Sequence, residues 1–383
     1  MIYYIFNFIH LFYMYLKYIG ASGYIGREII HTLLEEYNKQ NEKSVKNNND
    51  VLQLCCLVRQ SKVSNEEKYW KEQQKHSNNN VHLKVYPYNM LDNGDTLLSC
   101  LNDIDINNND DDDNNNICIY HTASIFGPTK NPIETANENI KGTETIFHTI
   151  SKYSKDTAAN NNDNMHVIVT SSMAAVRGGD QIPKNKNWYT YHDWNTASKL
   201  DDNNWGSCYQ YSKAKSELRA WELSKEYNIP LTTLCPSFVF GPVRNNDESS
   251  SSSYAVKLIK SWMKGASSVQ SRLCVDVRDV ALAHVIASKN PKSCVGKRLL
   301  LSTEARAHGK DIADCMKEAI LEHRDDDKNY NVNDIHYDKD YKGGAIPIGE
   351  KEVECLDRLK EVLNFELRYS VLKTIRDMVP SLL

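Results

Sequence analysis

The stretch YIGASGYIG, residues 18–26, decides how the rest of this chain is interpreted. It spaces three glycines as G-x-x-G-x-x-G between a short apolar segment and an amphipathic helical pattern. Glycines in such a turn let the backbone approach a pyrophosphate, whose charge is stabilised at the N-terminus of the following helix. Three glycines also suit close packing of a strand on a helix, but the strand–loop–helix context favours dinucleotide binding. The predicted cofactor contacts of this loop are Gly20, Ser22, Gly23, Tyr24, Ile25 and Gly26.

Short apolar segments alternate with helical patterns on the C-terminal side of this loop. The apolar segments are continuous rather than alternating, as expected for strands that are buried on both faces. The sequence therefore predicts an α/β fold, a Rossmann-type doubly wound parallel sheet with a smaller C-terminal substrate-binding lobe. The predicted strands are VLQLCCLV (51–58), VHLKVYP (81–87), ICIYH (117–121), MHVIVTS (165–171) and PLTTLCPS (230–237), and the predicted helices are 26–37, 139–154 and 212–227.

The N-terminal run MIYYIFNFIHLFYMYLKYI is apolar and aromatic. It is short for a membrane span and lacks the basic start of a signal peptide, so no membrane segment is predicted. About its last five residues are expected to form the first strand. Residues 1–14 are left as an N-terminal extension. It is a real segment of the protein, a membrane anchor or an error in the gene model, and the sequence does not decide among these. The nucleotide-binding domain is predicted at 15–240, and 241–383 is predicted to be mainly the substrate-binding lobe, interleaved with the first domain.

Composition excludes several functions. The chain has 383 residues and a net charge of -4, with no basic block, which argues against a nucleic-acid partner. Runs rich in Asn and Asp separate the predicted elements and are expected to be solvated loops. The ten cysteines are scattered, several within apolar segments, which is typical of reduced thiols and predicts a cytoplasmic protein. No Cys-x-x-Cys or His-Glu-x-x-His occurs, so no metal site is predicted.

The end of the second predicted strand, CCLVRQSK, bears on the choice of cofactor. An Asp or Glu there would bind the ribose 2′-hydroxyl of NAD, but this strand has no carboxylate and is followed by Arg59 and Lys62. A guanidinium can bind a 2′-phosphate through two hydrogen bonds and stack on adenine. NADP is therefore predicted in preference to NAD, the alternative being that Arg59 is an ordinary solvated side chain at a strand end.

Five motifs occur in the order found in one protein family: GASGYIG, YHTAS, VTSS, YQYSK and VDVRDVA. The chain resembles the extended short-chain dehydrogenases/reductases of the NAD-dependent epimerase/dehydratase superfamily. The segment DWNTASKLDDNNWGSCYQYSKAKSELRAWEL resembles the dihydroflavonol 4-reductase and cinnamoyl-CoA reductase group most closely. The resemblance implies an NAD(P)-dependent oxidoreductase, and specifically an NADPH-dependent reductase of a small carbonyl substrate, an aldehyde or ketone.

The segment SCYQYSKAKSE contains the spacing Tyr-x-x-x-Lys twice, as Tyr209 with Lys213 and as Tyr211 with Lys215. The family pattern Tyr-x-x-Ser-Lys-x-x-x-Glu selects the first pair. The two tyrosines lie about 200° apart around a helix, so only one pair can serve a cofactor. The resemblance implies that Tyr209 donates a proton to the carbonyl oxygen and that Lys213 binds the nicotinamide ribose. The Lys213 ammonium is also expected to lower the pKa of Tyr209.

The resemblance also assigns Ser172 as the serine that bonds the substrate carbonyl, with Ser171 as the alternative. Asn139 matches a family Asn, or else caps the start of a helix. Arg278 and Asp279 are expected to hold structure rather than to do chemistry. The remaining cofactor contacts implied by the resemblance, in addition to Tyr209 and Lys213, are Met90, Thr122, Ala123, Ser124, Pro236 and Val239.

Other functions of the same fold are a hydroxysteroid-type dehydrogenase and a nucleotide-sugar epimerase. A different class is a regulator that senses NADPH without turnover, although such proteins commonly lose the Tyr–Lys pair that this chain keeps. Four large apolar residues are expected either in the pocket wall, which would indicate a hydrophobic substrate, or in the core, namely Phe126, Met173, Trp188 and Phe238. The protein is expected to be a monomer or a homodimer.

Overall fold

A computed structural model describes residues 14–43, 52–74, 81–105, 116–156, 165–244, 253–323, 330–341 and 343–383. Its strands are β1 (Met14–Ile19), β2 (Leu52–Val58), β3 (Val81–Pro87), β4 (Asn116–His121), β5 (Met165–Thr170), β6 (Leu231–Pro236), β7 (Phe238–Phe240), β8 (Cys274–Asp276) and β9 (Arg298–Leu301). Its helices are α1 (Tyr24–Lys43), α2 (Val63–Gln74), α3 (Asp95–Asp105), α4 (Pro132–Asp156), α5 (Trp205–Tyr227), α6 (Tyr254–Met263), α7 (Val277–Lys289), α8 (Pro291–Cys294), α9 (Gly309–Glu322), α10 (Leu356–Leu363) and α11 (Val371–Met378).

Seven parallel strands form the main sheet in the order β3-β2-β1-β4-β5-β6-β9. The first six follow the Rossmann order, in which the chain winds outward from β1 in both directions. The predicted doubly wound parallel sheet is therefore confirmed, and every predicted strand lies in it. β1 begins at Met14, so residues 1–13 of the predicted N-terminal extension lie outside the described residues.

Both faces of the sheet are covered, which explains why its strands are continuously apolar. Every residue of β5 and of β6 is buried. In β5, Ile168 packs into a core with α1 and α7, whereas Val167 and Val169 pack into the core on the opposite face with α3, α4 and α5. Alternate residues of one strand thus supply two separate cores.

The C-terminal part of the chain contributes to both layers. A small parallel sheet of β7 and β8 joins α6, α9 and α11 around a third core. However, β9 pairs with β6 as the last strand of the main sheet, and α7 packs on α1. Residues beyond 240 therefore complete the main sheet as well as forming the smaller lobe.

The polar runs rich in Asn and Asp lie mostly outside the described residues. The prediction that they are solvated loops stays a prediction. Regular elements end just before such a run and begin just after it. For example, α1 ends at Lys43 and β2 begins at Leu52.

Buried histidines link the layers. His284 on α7 has Nε2 2.8 Å from Thr170 Oγ1 and Nδ1 2.8 Å from the Val280 carbonyl oxygen. Burial lowers the pKa of His284 to about 4 and that of His166 also to about 4. Charging either imidazole would place a cation in the core, so each is neutral in the folded protein above about pH 4.

We expect His284 to make folding sensitive to acid. Its pKa is about 6.5 in the unfolded chain and about 4 when folded, so the unfolded state binds more protons between these values. Stability is therefore lost as the pH falls through this window, at roughly 1.4 kcal/mol per pH unit. Urea unfolding of wild type and His284→Gln from pH 7 to 4.5 should show the stability advantage of the wild type shrinking toward acid. A difference that is independent of pH would contradict this account.

Candidate active site

The glycine loop leaves β1 and enters α1 against the end of β4. Gly20 has a φ of +92°, and a Cβ there would lie 2.7 Å from Ala123 N and 2.7 Å from Thr122 Oγ1. A Cβ on Gly26 would lie 2.3 Å from the Gly20 carbonyl oxygen. Side chains are thus excluded at Gly20 by backbone conformation and contact, and at Gly26 by contact alone. The loop backbone is held close to β4 and opens onto the N-terminus of α1, which is a cradle for a phosphate.

The other loop residues have separate surroundings. Ser22 and Ile25 are half-buried, and Gly23 is exposed at the turn. The Tyr24 hydroxyl donates to the Gly241 carbonyl oxygen over 2.6 Å, so the phenol joins the loop to the start of the C-terminal lobe. Burial, with nearby Asp276, raises the pKa of Tyr24. The side chain of Tyr24 therefore supports the fold, which leaves only its backbone to contact a ligand at the start of the helix.

The carboxyl end of β2 lies beside this loop. The Gly20 amide donates to the Leu57 carbonyl oxygen over 3.2 Å, which places Arg59 two residues beyond the contact. Arg59 is exposed and Lys62 half-exposed, and both lie between β2 and α2. No ion pair involves either of them within the described part of the chain. Two cations thus stand near the glycine loop and are available to an anion.

A buried ion pair that the sequence analysis did not predict joins α1 to α2. Arg27, on the first turn of α1, donates to Glu66 on α2 over 2.5 Å. The same guanidinium lies 4.0 Å from the Tyr69 ring centroid. Glu66 follows β2 in the chain, but it is fully buried and ion-paired with Arg27. It is therefore not placed to bind the ribose of NAD.

The segment after β4 lies next to the glycine loop. The Thr122 backbone amide and side-chain hydroxyl both donate to the Ile19 carbonyl oxygen over 2.9 Å. The buried Ser124 hydroxyl has no hydrogen-bond partner in the described chain, as suits a group that bonds a ligand. Met90 packs on α4, where a Cβ on Gly142 would lie 2.1 Å from Met90 Cγ. The predicted contacts Thr122, Ala123 and Ser124 are thus brought to the loop.

Helix α5 carries the predicted catalytic pair. Its N-terminus is capped by Asn204, whose side chain accepts from the Ser207 amide. Lys213 is buried, and its ammonium donates to the Thr170 carbonyl oxygen over 2.9 Å. In the alternative pair, the exposed Lys215 lies 5.6 Å from the ring centroid of Tyr211. The structure therefore brings Tyr209 and Lys213, and not the second pair, to the end of β5.

The two adjacent serines differ in their partners. The Ser171 hydroxyl is buried and donates to Glu217 Oε2 over 2.7 Å. Ser172 is half-buried, accepts from the Ala174 amide over 3.1 Å, and is hydrogen-bonded to the Tyr209 side chain. Because the Ser171 hydroxyl is committed to a core carboxylate, Ser172 is the serine that can share a ligand with Tyr209.

The protonation of Tyr209 departs from the sequence-based expectation. Burial raises the pKa of Tyr209 to about 12, against a lowering by the hydrogen bond to Ser172. The expected lowering by Lys213 is not seen, because that ammonium is directed at the Thr170 carbonyl. Burial likewise lowers the pKa of Lys213 to about 8. Tyr209 is thus a protonated phenol at neutral pH, and desolvation has the largest effect on both groups.

Asn139 does not cap a helix start, which corrects one of the two readings of this residue. Helix α4 begins at Pro132, so Asn139 lies in its third turn. Its amide oxygen accepts from the Ile125 amide over 2.8 Å, and its amide nitrogen donates to the Ile125 carbonyl oxygen over 3.1 Å. The side chain therefore fixes the segment that carries Ser124 and Phe126.

An aromatic wall adjoins Tyr209. The Phe126 ring centroid lies 4.5 Å from that of Tyr209 and 6.0 Å from that of Phe238. Trp205 and Tyr254, which were not predicted, complete the wall at 5.9 and 5.1 Å from Phe126.

Other predicted residues lie in different surroundings. Met173 is buried in a separate core, and Trp188 lies 4.9 Å under the Lys351 ammonium. Pro236 ends β6, while Val239 is half-buried in β7. Within the described residues, no group of three or more metal-ligating side chains is placed to hold an ion.

Two C-terminal residues hold structure, as expected. Asp279 is buried and accepts from the backbone amides of Arg368 and Tyr369. Arg278 pairs with Asp276 over 2.7 Å and with Asp377 over 2.9 Å.

Behind the serines, Glu217 and Arg298 form a buried ion pair. Arg298 on β9 donates to the two carboxylate oxygens over 2.8 and 3.1 Å. Thr233 donates to the same carboxylate over 2.7 Å. Burial acts to raise the pKa of Glu217, but the Arg298 charge and these hydrogen bonds outweigh it and lower the pKa. Sequence reasoning had identified Glu217 only as part of a motif, and Arg298 carried no signal of its own.

We expect Glu217→Gln to destabilise the protein by about 3–5 kcal/mol, because it leaves the buried Arg298 charge uncompensated. Glu226→Gln is the matched control, since Glu226 is exposed on the same helix and should change stability by less than about 0.5 kcal/mol. Guanidinium-chloride unfolding of the three proteins measures both values. Equal, small effects would show that the pair does not support the fold.

Comparison with known proteins identifies close parallels. The NADPH-dependent methylglyoxal reductase GRE2 of Saccharomyces cerevisiae is 31% identical over 222 residues, which span 52% of this chain and 60% of that protein. The cinnamoyl-CoA reductase CAD2 of Medicago truncatula is 27% identical over 310 residues, covering 78% of both chains. The crystal structure of yeast methylglyoxal/isovaleraldehyde reductase Gre2 complexed with NADPH superposes with a TM-score of 0.69 at 22% identity, over 96% of this chain and 98% of that one.

These relatives are oxidoreductases and include the group expected from the motifs, which confirms both the resemblance and the prediction of an NAD(P)-dependent oxidoreductase. In the part of the chain that the structure describes, no helix is long and apolar enough to cross a bilayer. Residues 19–300 match the NAD dependent epimerase/dehydratase family along most of the chain. The chain therefore belongs to the NAD dependent epimerase/dehydratase family.

Proposed function

We propose that this protein is a cytoplasmic NADPH-dependent reductase that converts the carbonyl group of a small hydrophobic aldehyde or ketone to an alcohol. The observation that supports it most directly is the meeting of Ser172, Tyr209 and Lys213 at the end of β5. A glycine loop that excludes side chains lies two strands away at the same edge of the sheet. Relatives named as NADPH-dependent methylglyoxal reductase and cinnamoyl-CoA reductase support the same reaction class.

The residues present fit a dinucleotide. The loop around Gly20 and Gly26 provides the close backbone approach, and the unpartnered hydroxyl of Ser124 lies at the adjoining strand end. When bound, NADPH would supply a hydride to the carbonyl carbon. In this proposal Lys213 binds the nicotinamide ribose, while Thr122 and Ala123 line the dinucleotide through their backbone.

The protonation states of Tyr209 and Lys213 favour reduction of a carbonyl group. A Tyr209 phenol with a pKa of about 12 carries its proton at neutral pH, which is the state required to protonate a carbonyl oxygen as it gains negative charge. Ser172 is hydrogen-bonded to the phenol and can donate to the same substrate oxygen. With a pKa of about 8, Lys213 is largely an ammonium at pH 7.

The aromatic wall supports a hydrophobic substrate. Phe126, Trp205, Phe238 and Tyr254 contact one another beside Tyr209, and Phe126 is 38% exposed. Apolar side chains at the mouth of a site favour ligands with apolar surface. All ten cysteines are thiols without disulfides, which supports a reducing compartment such as the cytoplasm.

Tyr209→Phe should lower kcat by about 100- to 10,000-fold, because only the proton-donating hydroxyl is lost. Tyr211→Phe, the matched control on the same helix, should change kcat by less than about twofold. The measurement is NADPH oxidation with a panel of aldehydes and ketones, with circular dichroism to verify folding.

The comparison also separates competing hypotheses. If Tyr211→Phe were the inactive variant, the choice of pair would be wrong. If wild type bound NADPH but oxidised it with no carbonyl compound in the panel, the protein would be a sensor rather than an enzyme.

Arg59→Ala should weaken NADPH binding by about 10- to 150-fold, since a charge-assisted hydrogen bond to phosphate contributes about 1.5–3 kcal/mol. NADH lacks the 2′-phosphate and should bind almost unchanged. Lys71→Ala, which removes an exposed cation from α2, controls for general charge loss. Dissociation constants for both cofactors test this, and added salt should reduce the preference for NADPH. Equal losses for NADPH and NADH would mean that Arg59 contacts adenine or supports the strand.

A further inference from the structure

A lysine and two cysteines meet in the core beneath β1, away from the proposed active site. Lys17 is fully buried in the middle of the sheet, and its ammonium donates to the Cys100 carbonyl oxygen over 2.6 Å. The same nitrogen lies 3.3 Å from Cys100 Sγ. The register of the sheet pairs Lys17 on β1 with Cys55 on β2, so both side chains lie on the face that packs against α3. Lys17 is thus placed against two sulfur atoms.

Charge balance gives this cluster its chemistry. A buried ammonium is costly unless a negative group lies beside it. The Cys100 thiol lies beside Cys55, and hydrogen bonding from it together with the Lys17 charge lowers the pKa of Cys55 below that of an ordinary thiol, although burial opposes the change. The other titratable groups at Cys55 and its neighbours are Tyr86 on β3 and Asp103 on α3, and the Tyr86 side chain also hydrogen-bonds Cys55. The thiolate form of Cys55 is therefore favoured over that of an isolated buried thiol.

We propose that Lys17, Cys55 and Cys100 form a peroxide-sensitive modification site in which Cys55 is oxidised first and Cys100 then closes an intramolecular disulfide. This site is independent of the proposed reductase activity. Thiolates rather than thiols are the reactive form of cysteine, and a neighbouring lysine is a recognised cause of reactivity. In reducing compartments, a disulfide of this kind is typically transient and redox-sensing.

The reaction balances with one molecule of hydrogen peroxide. The Cys55 thiolate attacks a peroxide oxygen, the O–O bond breaks, and the departing hydroxide takes a proton from the Lys17 ammonium to leave as water. This step yields a sulfenic acid at Cys55. The Cys100 sulfur then attacks the sulfenic sulfur, the S–O bond breaks, and a second water leaves with the thiol proton. The two sulfurs together lose two electrons and the peroxide is reduced to two waters.

The neighbouring Cys56 provides an internal comparison. It points to the opposite face of β2, and burial raises its pKa. Cys55 and Cys56 are adjacent residues of the same strand, but only Cys55 lies on the face that carries Lys17. Cys55 is 6% exposed and Cys56 is fully buried, so the two thiols differ in solvent exposure as well as in their distance from the Lys17 charge. A dependence on Lys17 therefore has to be tested directly.

The experiment treats the folded, full-length protein with hydrogen peroxide at pH 7, blocks remaining thiols and maps the peptides by mass spectrometry. We expect a cross-link between the Cys55 and Cys100 peptides with loss of two hydrogens, retained in Cys56→Ser and absent in Cys55→Ser. In Lys17→Met, oxidation of Cys55 should be at least about 10-fold slower. For wild type alone, the rate of Cys55 labelling by methyl methanethiosulfonate should rise with pH around a midpoint below that of an ordinary thiol, which is about 8.5.

Four results would overturn the proposal. They are a Cys55 that stays reduced in the folded protein, a sulfenic or sulfonic acid that forms without the cross-link, a Cys55 labelling midpoint no lower than that of an ordinary thiol, and an unchanged oxidation rate in a folded Lys17→Met variant. A Lys17–Cys100 cross-link that gains one oxygen and loses two hydrogens would likewise replace the disulfide with an amine–sulfur bridge.

Discussion

The buried ion pair of Glu217 and Arg298 is the contact on which the geometry of the site depends. Glu217 lies on α5, the helix that carries Tyr209. Arg298 lies on β9, the last strand of the main sheet, which comes from the C-terminal part of the chain. Through its remaining N–H groups Arg298 also donates to backbone carbonyls of Ala175, Tyr191 and Asp193. One guanidinium therefore joins the catalytic helix, the last strand and the long segment after the proposed catalytic serine. Such a pair stabilises only while both partners are present, because either charge alone is strongly disfavoured in the core.

Burial sets the protonation of the groups at the end of β5. The groups at the end of β5 are desolvated, and desolvation favours the neutral form of each. Tyr209 consequently retains its proton, and Lys213 has a pKa of about 8. The Thr170 carbonyl accepts from Lys213 while the Thr170 hydroxyl bonds the neutral His284. A single strand-end residue thus orients the lysine from one side and is fixed by the neighbouring helix on the other.

The sequence allowed more of the main sheet to be predicted than of the rest of the fold. Strands buried on both faces leave continuous apolar runs, so β2 to β6 were recognised and β1 was located to within one residue. The strand β9 was missed because four residues, RLLL, carry no periodicity, and its Arg298 at a buried strand position contradicts the usual pattern. The motif identified Tyr209 and Lys213, but the choice between Ser171 and Ser172 required knowing where Glu217 points. The pKa of Tyr209 was predicted in the wrong direction, because burial cannot be read from a spacing.

The polar insertions leave the relation between the glycine loop and the end of β2 that precedes Arg59 intact. Arg59 lies 39 positions after Gly20 in the chain, a separation lengthened by the run between α1 and β2. Yet β1 and β2 are in register from Met14 with Leu52 to Ile19 with Leu57, and the Gly20 amide reaches the Leu57 carbonyl. Lengthening a loop costs little free energy, since closure entropy grows only with the logarithm of length. The position of Arg59 is therefore set by strand pairing rather than by sequence distance, and a chain with long Asn-rich runs can keep the geometry of a dinucleotide site.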